Sequence, residues 1–301
     1  MVNILISGYY GFDNIGDESI LRTLVSSLRE HIPGCSLTVL SHNPASTREK
    51  YGVEAVDRMS PMAILRAVKK CDMLISGGGS LLQDVTSSKS LHYYLSIIRC
   101  AEFFHKKVFI YSQGIGPIDR PGNRRAAAAA LKRADGIVVR DERSAALLEE
   151  IGIARDKVVI TADPVIRMKK PDGDVGAEIL RKAGVSLDGR LTVGWAIRER
   201  DTDSRFVKEL LRSIQMMKDK YNAQSVLIPF HYEEDGEVCR HIAAQLPDDT
   251  AVCLNEKYLS EDMLSIIGNM DLLVGVRLHS LIYAAIMGVP LIGISYDPKC
   301  T

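Results

Sequence analysis

Short apolar runs alternate with amphipathic segments along the whole chain. The runs predict strands at residues 3–7, 36–40, 73–76, 107–111, 136–139, 158–161, 191–196, 223–229, 251–254, 271–274 and 290–294. Helical spacing of apolar positions predicts helices at residues 18–30, 61–69, 124–133, 144–151, 204–220, 234–245, 260–268 and 281–287. Strands that alternate with helices in this way form parallel sheets covered by helices on both faces. The pattern therefore predicts an α/β fold.

The number of strands bears on domain organisation. Eleven predicted strands are many for one twisted sheet, which favours two Rossmann-like domains facing a cleft, the glycosyltransferase-B (GT-B) architecture. Residues 164–176 are rich in proline, lysine, aspartate and glycine, as linkers are. We expect an N-terminal domain at residues 1–168 and a C-terminal domain at residues 169–301. Because such a second domain normally continues past its last strand and turn, we also expect the C-terminus to be truncated.

Composition limits the classes of function. The 301 residues include 38 basic and 38 acidic side chains, so the formal net charge is zero and no overall field attracts nucleic acid. The six cysteines lack metal-ligand spacing, so no metal site is predicted. No apolar segment reaches the roughly 18 residues of a membrane span, and the N-terminal run is too short for a signal peptide. We expect a cytoplasmic protein.

Glycine-rich turns follow three predicted strands of the N-terminal half. They contain Gly8, Gly11 and Gly16, then residues 77–79, then Gly114 and Gly116. Glycine lets backbone amides approach a ligand, and the carboxyl ends of parallel strands share the edge where ligands bind. Asn14 and Gln113 in these turns offer amide groups to such a ligand. Asp17 is either a ligand contact or a helix N-cap, and the triple glycine is either a ligand contact or a tight strand–helix turn.

Cationic side chains follow other predicted strands. Arg277 and His279 lie between the strand at residues 271–274 and the next helix, Arg140 follows another strand, and Lys299 follows the last one. A fixed cation beside an imidazole suits an anionic substrate that needs a proton moved. For Arg140, an ion pair with an aspartate that holds its loop closed is the competing account.

Four motifs together resemble the polysaccharide pyruvyl transferase family, and most closely its CsaB-type cell-wall enzymes. They are the glycine turn that ends in Asn14-Ile15-Gly16-Asp17-Glu18, Gly77-Gly78-Gly79-Ser80, Arg140-Asp141-x-x-Ser144 and Arg277-Leu278-His279-Ser280. The resemblance spans nearly the whole chain. It implies a GT-B-like fold, transfer of pyruvate from phosphoenolpyruvate to a sugar as a cyclic ketal with release of phosphate, and no organic cofactor.

The CsaB-type resemblance also implies an acceptor. In such enzymes it is N-acetylmannosamine in a lipid-linked precursor of secondary cell-wall polymer, and the pyruvylated polymer anchors surface-layer proteins. A lipid-linked acceptor implies peripheral contact with the inner membrane face. The basic residues of the predicted helix at residues 124–133, with residues 105–107, would meet anionic headgroups there, although an ordinary surface helix is the simpler account.

The resemblance assigns roles to residues of this chain. The expected phosphoenolpyruvate-binding residues are Arg140, Arg277, Leu278, His279 and Lys299, of which His279, Arg277 and Arg140 are expected to be catalytic. The expected acceptor-binding residues are Asn14, Asp17, Gly78, Gly79 and Gln113. His279 would carry a proton or hold phosphate, because an imidazole titrates near neutrality. A carboxylate of Asp13, Asp17 or Glu18 would act as the base.

Two other functions remain open at this point. A GT-B glycosyltransferase or epimerase would bind a nucleotide-sugar, with Glu199 or Asp297 contacting the ribose. A glycan-binding protein without activity would tolerate loss of the cationic side chains, and their joint presence disfavours it.

Overall fold

The computed structural model describes residues 2–85, 87–199, 202 and 204–295, so Lys299 lies outside the described residues. The strands are β1 (Asn3–Tyr10), β2 (Ser36–Ser41), β3 (Glu54–Asp57), β4 (Met73–Gly77), β5 (Lys107–Gln113), β6 (Gly136–Val139), β7 (Val158–Ile160), β8 (Thr192–Ala196), β9 (Gln224–Leu227), β10 (Ala251–Cys253), β11 (Leu272–Gly275) and β12 (Leu291–Gly293). The helices are α1 (Ile15–His31), α2 (Pro44–Tyr51), α3 (Pro61–Lys70), α4 (Ser88–Phe103), α5 (Pro121–Leu131), α6 (Glu142–Glu150), α7 (Val175–Lys182), α8 (Arg205–Tyr221), α9 (Tyr232–Ala244), α10 (Ser260–Gly268) and α11 (Leu278–Met287). In this part of the chain, no helix is both long and apolar enough to cross a lipid bilayer.

The strands form two parallel sheets. The first has seven strands in the order β3-β2-β1-β4-β5-β6-β7, and the second has five in the order β10-β9-β8-β11-β12. The direction of strand addition reverses between β1 and β4 and again between β8 and β11. In open α/β sheets, ligands bind at the carboxyl ends of the strands beside such reversals. The predicted α/β fold class with parallel sheets is confirmed.

The chain divides into two compact units. The first comprises the residues up to Phe12 together with Asp17–Arg167, and the second comprises Asp13–Gly16 together with the chain from Met168 onward. The boundary at residues 167 and 168 lies in the linker-like stretch. The assignment of Asp13–Gly16 to the second unit differs from the expected continuous domain of residues 1–168, because these four residues pair with the second unit's backbone.

Both faces of the first sheet are buried. Leu5 of β1 packs in an apolar cluster with residues of α4 and α5, whereas Ile4 and Ile6 pack in a second cluster with residues of α1. Successive side chains of a strand point to opposite faces. A strand covered on both sides is therefore apolar at every position, which is why β1 was predictable as a continuous apolar run.

Some elements do not follow from the sequence pattern. β3, α2, α4 and α7 are not among the predicted elements, and α5 begins at Pro121, three residues earlier than expected. Proline suits the first position of a helix, because its missing N–H would have no helical partner there. β3 escapes prediction because it is a four-residue edge strand with exposed residues at both ends.

Helices α7 and α10 approach each other closely at Gly176. A Cβ atom at this position would overlap the backbone of Ser265, and the Gly176 N–H donates to Ser265 Oγ at 2.9 Å. We expect Gly176→Ala to lower the free energy of unfolding of the second unit by about 2 kcal/mol, because overpacking forces the two helices apart.

Gly236→Ala, in α9 of the same unit, is the control for this substitution. Its Cβ would meet only the flexible end of Arg240, at 3.1 Å, and replacing a helical glycine is expected to stabilise by up to about 1 kcal/mol. Urea unfolding followed by the fluorescence of Trp195, the single tryptophan and a buried residue of β8, measures both variants. Equal stabilities of the two variants would contradict the close approach.

Candidate active site

The segment Arg277–Ser280 connects β11 to α11. Helix α11 begins at Leu278, directly after Arg277 as N-cap. The Ser280 N–H and Oγ–H both donate to the Arg277 carbonyl, at 3.0 and 2.6 Å, and close the first helical turn. A Cβ at Gly275 would lie 2.6 Å from Ser280 Oγ, so glycine is needed where the strand meets the helix. Arg277, Leu278 and His279 thus lie at a helix N-terminus, which favours anions.

Arg277 is held by a buried carboxylate. Its Nε donates to Asp235 Oδ2 at 3.0 Å and its Nη2 donates to Asp235 Oδ1, while the Asp235 side chain is only 1% exposed. Asp235 Oδ2 also accepts from the backbone N–H groups of Phe230 and His231, at 3.2 and 2.8 Å. This carboxylate therefore joins the start of α9 to the start of α11. Asp235 takes the Nε and Nη2 donors, Glu234 Oε2 lies 4.0 Å from Nη2, and Nη1 has no hydrogen-bond partner among the described residues.

The segment Asp13–Gly16 pairs with the start of α9. Asn14 and His231 form an antiparallel β-bridge, and the Ile15 N–H donates to the Phe230 carbonyl at 2.9 Å. These bonds explain why the second unit includes four residues from near the N-terminus. Asn14, expected from its motif to contact the acceptor, lies beside His231 at the start of α9.

Gly16 and Asp13 fix the two ends of this segment. A Cβ at Gly16 would overlap the His279 imidazole at Nδ1, so only glycine leaves room for the ring. Asp13 has a left-handed backbone, with φ of 53°, and its carboxylate accepts a 2.7 Å hydrogen bond from Lys257 Nζ. This bond raises the pKa of Lys257 above its ordinary value. The Asp13 carboxylate, a candidate base, is thus engaged by a lysine.

His231 and Asp235 are residues of this site that are not among the expected site residues. His231 is 8% exposed and serves as the N-cap of α9, where its Nδ1 accepts from the Glu234 N–H at 3.3 Å. A neutral imidazole that accepts at Nδ1 carries its proton on Nε2. The available signal was a histidine shortly after an apolar strand, with three acidic residues at positions 233–235 close behind it.

Arg140, at the end of β6 in the first unit, is surrounded by partners. Its Nη1 lies 3.1 Å from Asp163 Oδ2, its Nε lies 3.6 Å from Asp141 Oδ2, and its Nη2 donates to Ser80 Oγ at 3.0 Å. The Arg140 side chain is 6% exposed and that of Asp163 is 8% exposed. The arginine therefore connects the loops that follow β4, β6 and β7, which is the alternative that the sequence left open.

The triple-glycine turn after β4 has packing reasons for two of its residues. Gly78 has φ of 43°, and a Cβ there would overlap the Ile20 side chain. Gly79 has φ of 72°, and a Cβ there would lie 2.9 Å from Asp17 Oδ1. Both positions thus require glycine for conformation and for close packing on α1. Asp17 lies in the first turn of α1, and the cap is Asn14, whose Oδ1 accepts from the Gly16 N–H at 3.1 Å.

Gln113 and Glu18 are occupied inside the first unit. Gln113 is fully buried, and its Nε2 donates to the Ser76 carbonyl and hydroxyl at 2.9 and 2.8 Å. Glu18 accepts from the Gly11 N–H at 2.8 Å and from the Tyr51 hydroxyl. Gln113 therefore joins the end of β5 to β4, its buried Oε1 has no hydrogen-bond partner among the described residues, and Glu18 holds the turn after β1.

Arg124 of the predicted headgroup-binding helix also has internal partners. Its Nε donates to the Ile118 carbonyl at 2.7 Å, and its Nη1 lies 3.3 Å from Glu150 Oε2. These contacts hold the start of α5 to the preceding loop and to α6.

Comparison with known proteins shows the family to which this chain belongs. The model of the polysaccharide pyruvyl transferase family matches residues 14–298. The chain belongs to this family. The protein is accordingly a pyruvyl transferase that acts in polysaccharide chemistry. A curated relative is the amylovoran biosynthesis protein AmsJ of Erwinia amylovora, 21% identical over 355 aligned positions that cover 99% of this chain and 84% of that protein.

Solved structures with a similar fold include an epimerase and a protein in complex with UDP-glucose. The UDP-GlcNAc 2-epimerase of Methanocaldococcus jannaschii has a TM-score of 0.68 at 13% identity, covering 99% of this chain and 85% of that chain. Anabaena Alr3699/HepE, solved in complex with UDP-glucose, has a TM-score of 0.65 at 12% identity, covering 97% of this chain and 80% of that chain. At such identities the likeness shows the fold, which is GT-B-like, and carries no statement about substrate.

The partners of Arg140 give a stability prediction. We expect Asp163→Asn to lower the free energy of unfolding by about 3 kcal/mol, because it leaves a buried arginine without its main counter-charge. Asp141→Asn is the matched control and should cost less than about 1 kcal/mol, since Asp141 is 42% exposed and asparagine preserves its capping bond to Ser144. Urea unfolding followed by circular dichroism measures both. A smaller loss for Asp163→Asn would contradict this assignment.

Proposed function

We propose that the protein transfers pyruvate from phosphoenolpyruvate to two hydroxyls of one sugar, with release of phosphate. The observation that carries the proposal is the presentation of Arg277, held by Asp235, at the N-terminus of α11 beside His279. Phosphoenolpyruvate carries a carboxylate and a phosphate on a small skeleton. A guanidinium whose Nη1 has no hydrogen-bond partner among the described residues, with helical N–H groups beside it, suits such an anion. Family membership supports the pyruvyl group and the sugar acceptor.

The reaction defines what the site must supply. The methylene carbon of phosphoenolpyruvate gains one proton and becomes a methyl group. The neighbouring carbon forms two C–O bonds with the sugar hydroxyls, and its bond to the phosphate oxygen breaks. Of the two hydroxyl protons, one balances the proton added to the methylene and the other leaves with phosphate. The site therefore needs an acid near the methylene, a base near the hydroxyls and cations around the phosphate.

The residues of the second unit fit these needs. Arg277 and the Leu278 N–H would hold the anionic groups of the donor, and His279 would carry the proton. His279 suits this role because an imidazole nitrogen can both accept and donate a proton. Lys299, which follows β12 in the sequence, would add a further cation. Arg140 would act by holding three loops of the first unit in place, since its charge is already compensated by Asp163.

Family membership indicates a sugar acceptor, and we propose which sugar it is. We take N-acetylmannosamine of a lipid-linked cell-wall polymer precursor as the first acceptor to test, and contact with the inner membrane face follows from such a lipid. The turns that contain Asn14, Asp17, Gly78 and Gly79 are the proposed acceptor side. Asp13, Asp17 and Glu18 remain the candidate bases, of which Asp13 pairs with Lys257 and Glu18 accepts from the Gly11 N–H.

The direct test is turnover of phosphoenolpyruvate. The full chain is incubated with phosphoenolpyruvate and a synthetic diphospholipid that carries N-acetylmannosaminyl–N-acetylglucosamine, and phosphate release is followed together with the mass of the acceptor. We expect release of phosphate and gain of one ketal-linked pyruvate. Release with a different sugar would correct the acceptor alone. Absence of release with every sugar offered would overturn the proposed donor chemistry.

Two substitutions test the role of His279. We expect His279→Ala to lower kcat by about 100-fold or more, the usual effect of losing a general acid or base. Gly16→Ala should also lower kcat strongly, because its new Cβ displaces the His279 ring. Gly122→Ala is the control: Gly122 is likewise the second residue of its helix, and a Cβ there meets nothing within 4 Å. Near-normal turnover of His279→Ala would exclude the proton-transfer role.

A further inference from the structure

Three aromatic rings form a column at the carboxyl ends of β1 and β2. The rings of Tyr9 and Phe12 stack at a centroid distance of 4.1 Å with an interplanar angle of 4°. Phe12 and His42 stack at 4.4 Å, again with an angle of 4°. Tyr9 and Phe12 are half-buried and His42 is exposed. The column therefore ends in solvent with the imidazole of His42, at the edge of the sheet where ligands bind.

A buried arginine lies beside this column. Arg58, directly after β3, is 7% exposed, and its guanidinium carbon lies 5.8 Å from the ring centroid of Tyr9 and 5.1 Å from that of Phe12. The rings of Tyr93 and Tyr94 are also close, at 4.7 and 5.5 Å. Arg58 Nη1 and Nη2 donate to the Gly8 carbonyl and the Tyr94 hydroxyl, at 3.0 and 3.2 Å. These contacts fix the rings in position.

The charge of Arg58 has no counter-charge at ion-pair distance among the residues described. Its Nε is buried and has no hydrogen-bond partner there. The neighbouring Asp57 carboxylate accepts instead from the Met59 N–H, at 2.8 Å. Burial raises the pKa of Tyr94 to about 12, so this hydroxyl stays neutral and supplies no negative charge. Buried charges are normally paired; the carboxylates of Asp57 and Asp17 are near enough to affect Tyr93 and Tyr94, but neither contacts the guanidinium.

We propose that Arg58 and the Tyr9–Phe12–His42 column form a saccharide subsite that takes a negatively charged pyranose unit. Aromatic faces and edges pack against the apolar C–H face of a sugar ring, and few polar groups are needed to orient it. The positive field of Arg58 selects a unit that carries a carboxylate or a phosphate. The subsite rests on the proposed function, since it would hold part of the sugar acceptor, either a uronate of the glycan or the phosphate of its linkage.

The test measures binding directly and uses no phosphoenolpyruvate. The full chain is titrated with methyl β-glucuronide, glucose 1-phosphate and neutral methyl β-glucoside, followed by saturation-transfer difference NMR and calorimetry. We expect at least one charged probe to bind about tenfold more tightly than the neutral glucoside, and added salt to weaken only the charged probe. Preference for the glucuronide assigns the charge to a uronate, and preference for glucose 1-phosphate assigns it to a phosphate.

Variants connect the binding to these residues. His42→Ala should weaken the charged probe about fivefold, an effect of the size expected for one aromatic contact. His31→Ala, an exposed histidine at the end of α1, should leave binding unchanged. Arg58→Gln should reduce the charged probe to the affinity of the neutral one, and circular dichroism checks that it folds. If Arg58→Gln does not fold, the salt dependence of the wild-type protein reports on the charge instead.

Three results would overturn the subsite. They are binding of no probe by the wild-type protein, equal affinity for charged and neutral probes, and an equal effect of His42→Ala and His31→Ala. Because no step of this test requires turnover, failure of phosphoenolpyruvate chemistry with intact saccharide binding would refute the proposed function alone.

Discussion

The candidate active site depends on the carboxylate of Asp235. It binds the backbone at the start of α9 and one edge of the Arg277 guanidinium at the same time. A partly buried arginine without this partner would be destabilised, and one with every donor occupied would have nothing left for a substrate. Asp235 avoids both outcomes, since it neutralises and orients the Arg277 guanidinium through Nε and Nη2 and leaves Nη1 without a bond to it. Arg277 is also the N-cap of α11, so its guanidinium is carried at the N-terminus of this helix.

The segment Asp13–Gly16 completes this arrangement from a distant part of the chain. Its backbone bonds to Phe230 and its bridge to His231 depend on the same α9 start that Asp235 organises. Gly16 in turn limits where the His279 ring can lie. The motif at residues 14–18 therefore packs directly against the motif at residues 277–280. This close contact accounts for a glycine at position 16.

The sequence was sufficient for the fold class and for the motif at residues 277–280, because buried parallel strands leave continuous apolar runs and the residues after them lie at the ligand edge. It was insufficient for partners. Arg140 and Arg277 look alike in sequence, yet the donors of Arg140 contact three side chains, whereas Nη1 of Arg277 has no hydrogen-bond partner among the described residues. Asp235 carried no signal of its own, since its role arises only when β9 and β11 are brought into one sheet.

The most direct test of the account is calorimetric binding of phosphoenolpyruvate to the wild-type chain and to Arg277→Lys, with UDP-glucose as the competing ligand class. The account predicts that the wild-type protein binds phosphoenolpyruvate and that lysine, which keeps the charge but lacks the planar edge shared between Asp235 and a ligand, weakens binding at least about tenfold. Binding of UDP-glucose with none of phosphoenolpyruvate, or equal affinity of the two proteins for phosphoenolpyruvate, would contradict the assignment of this site.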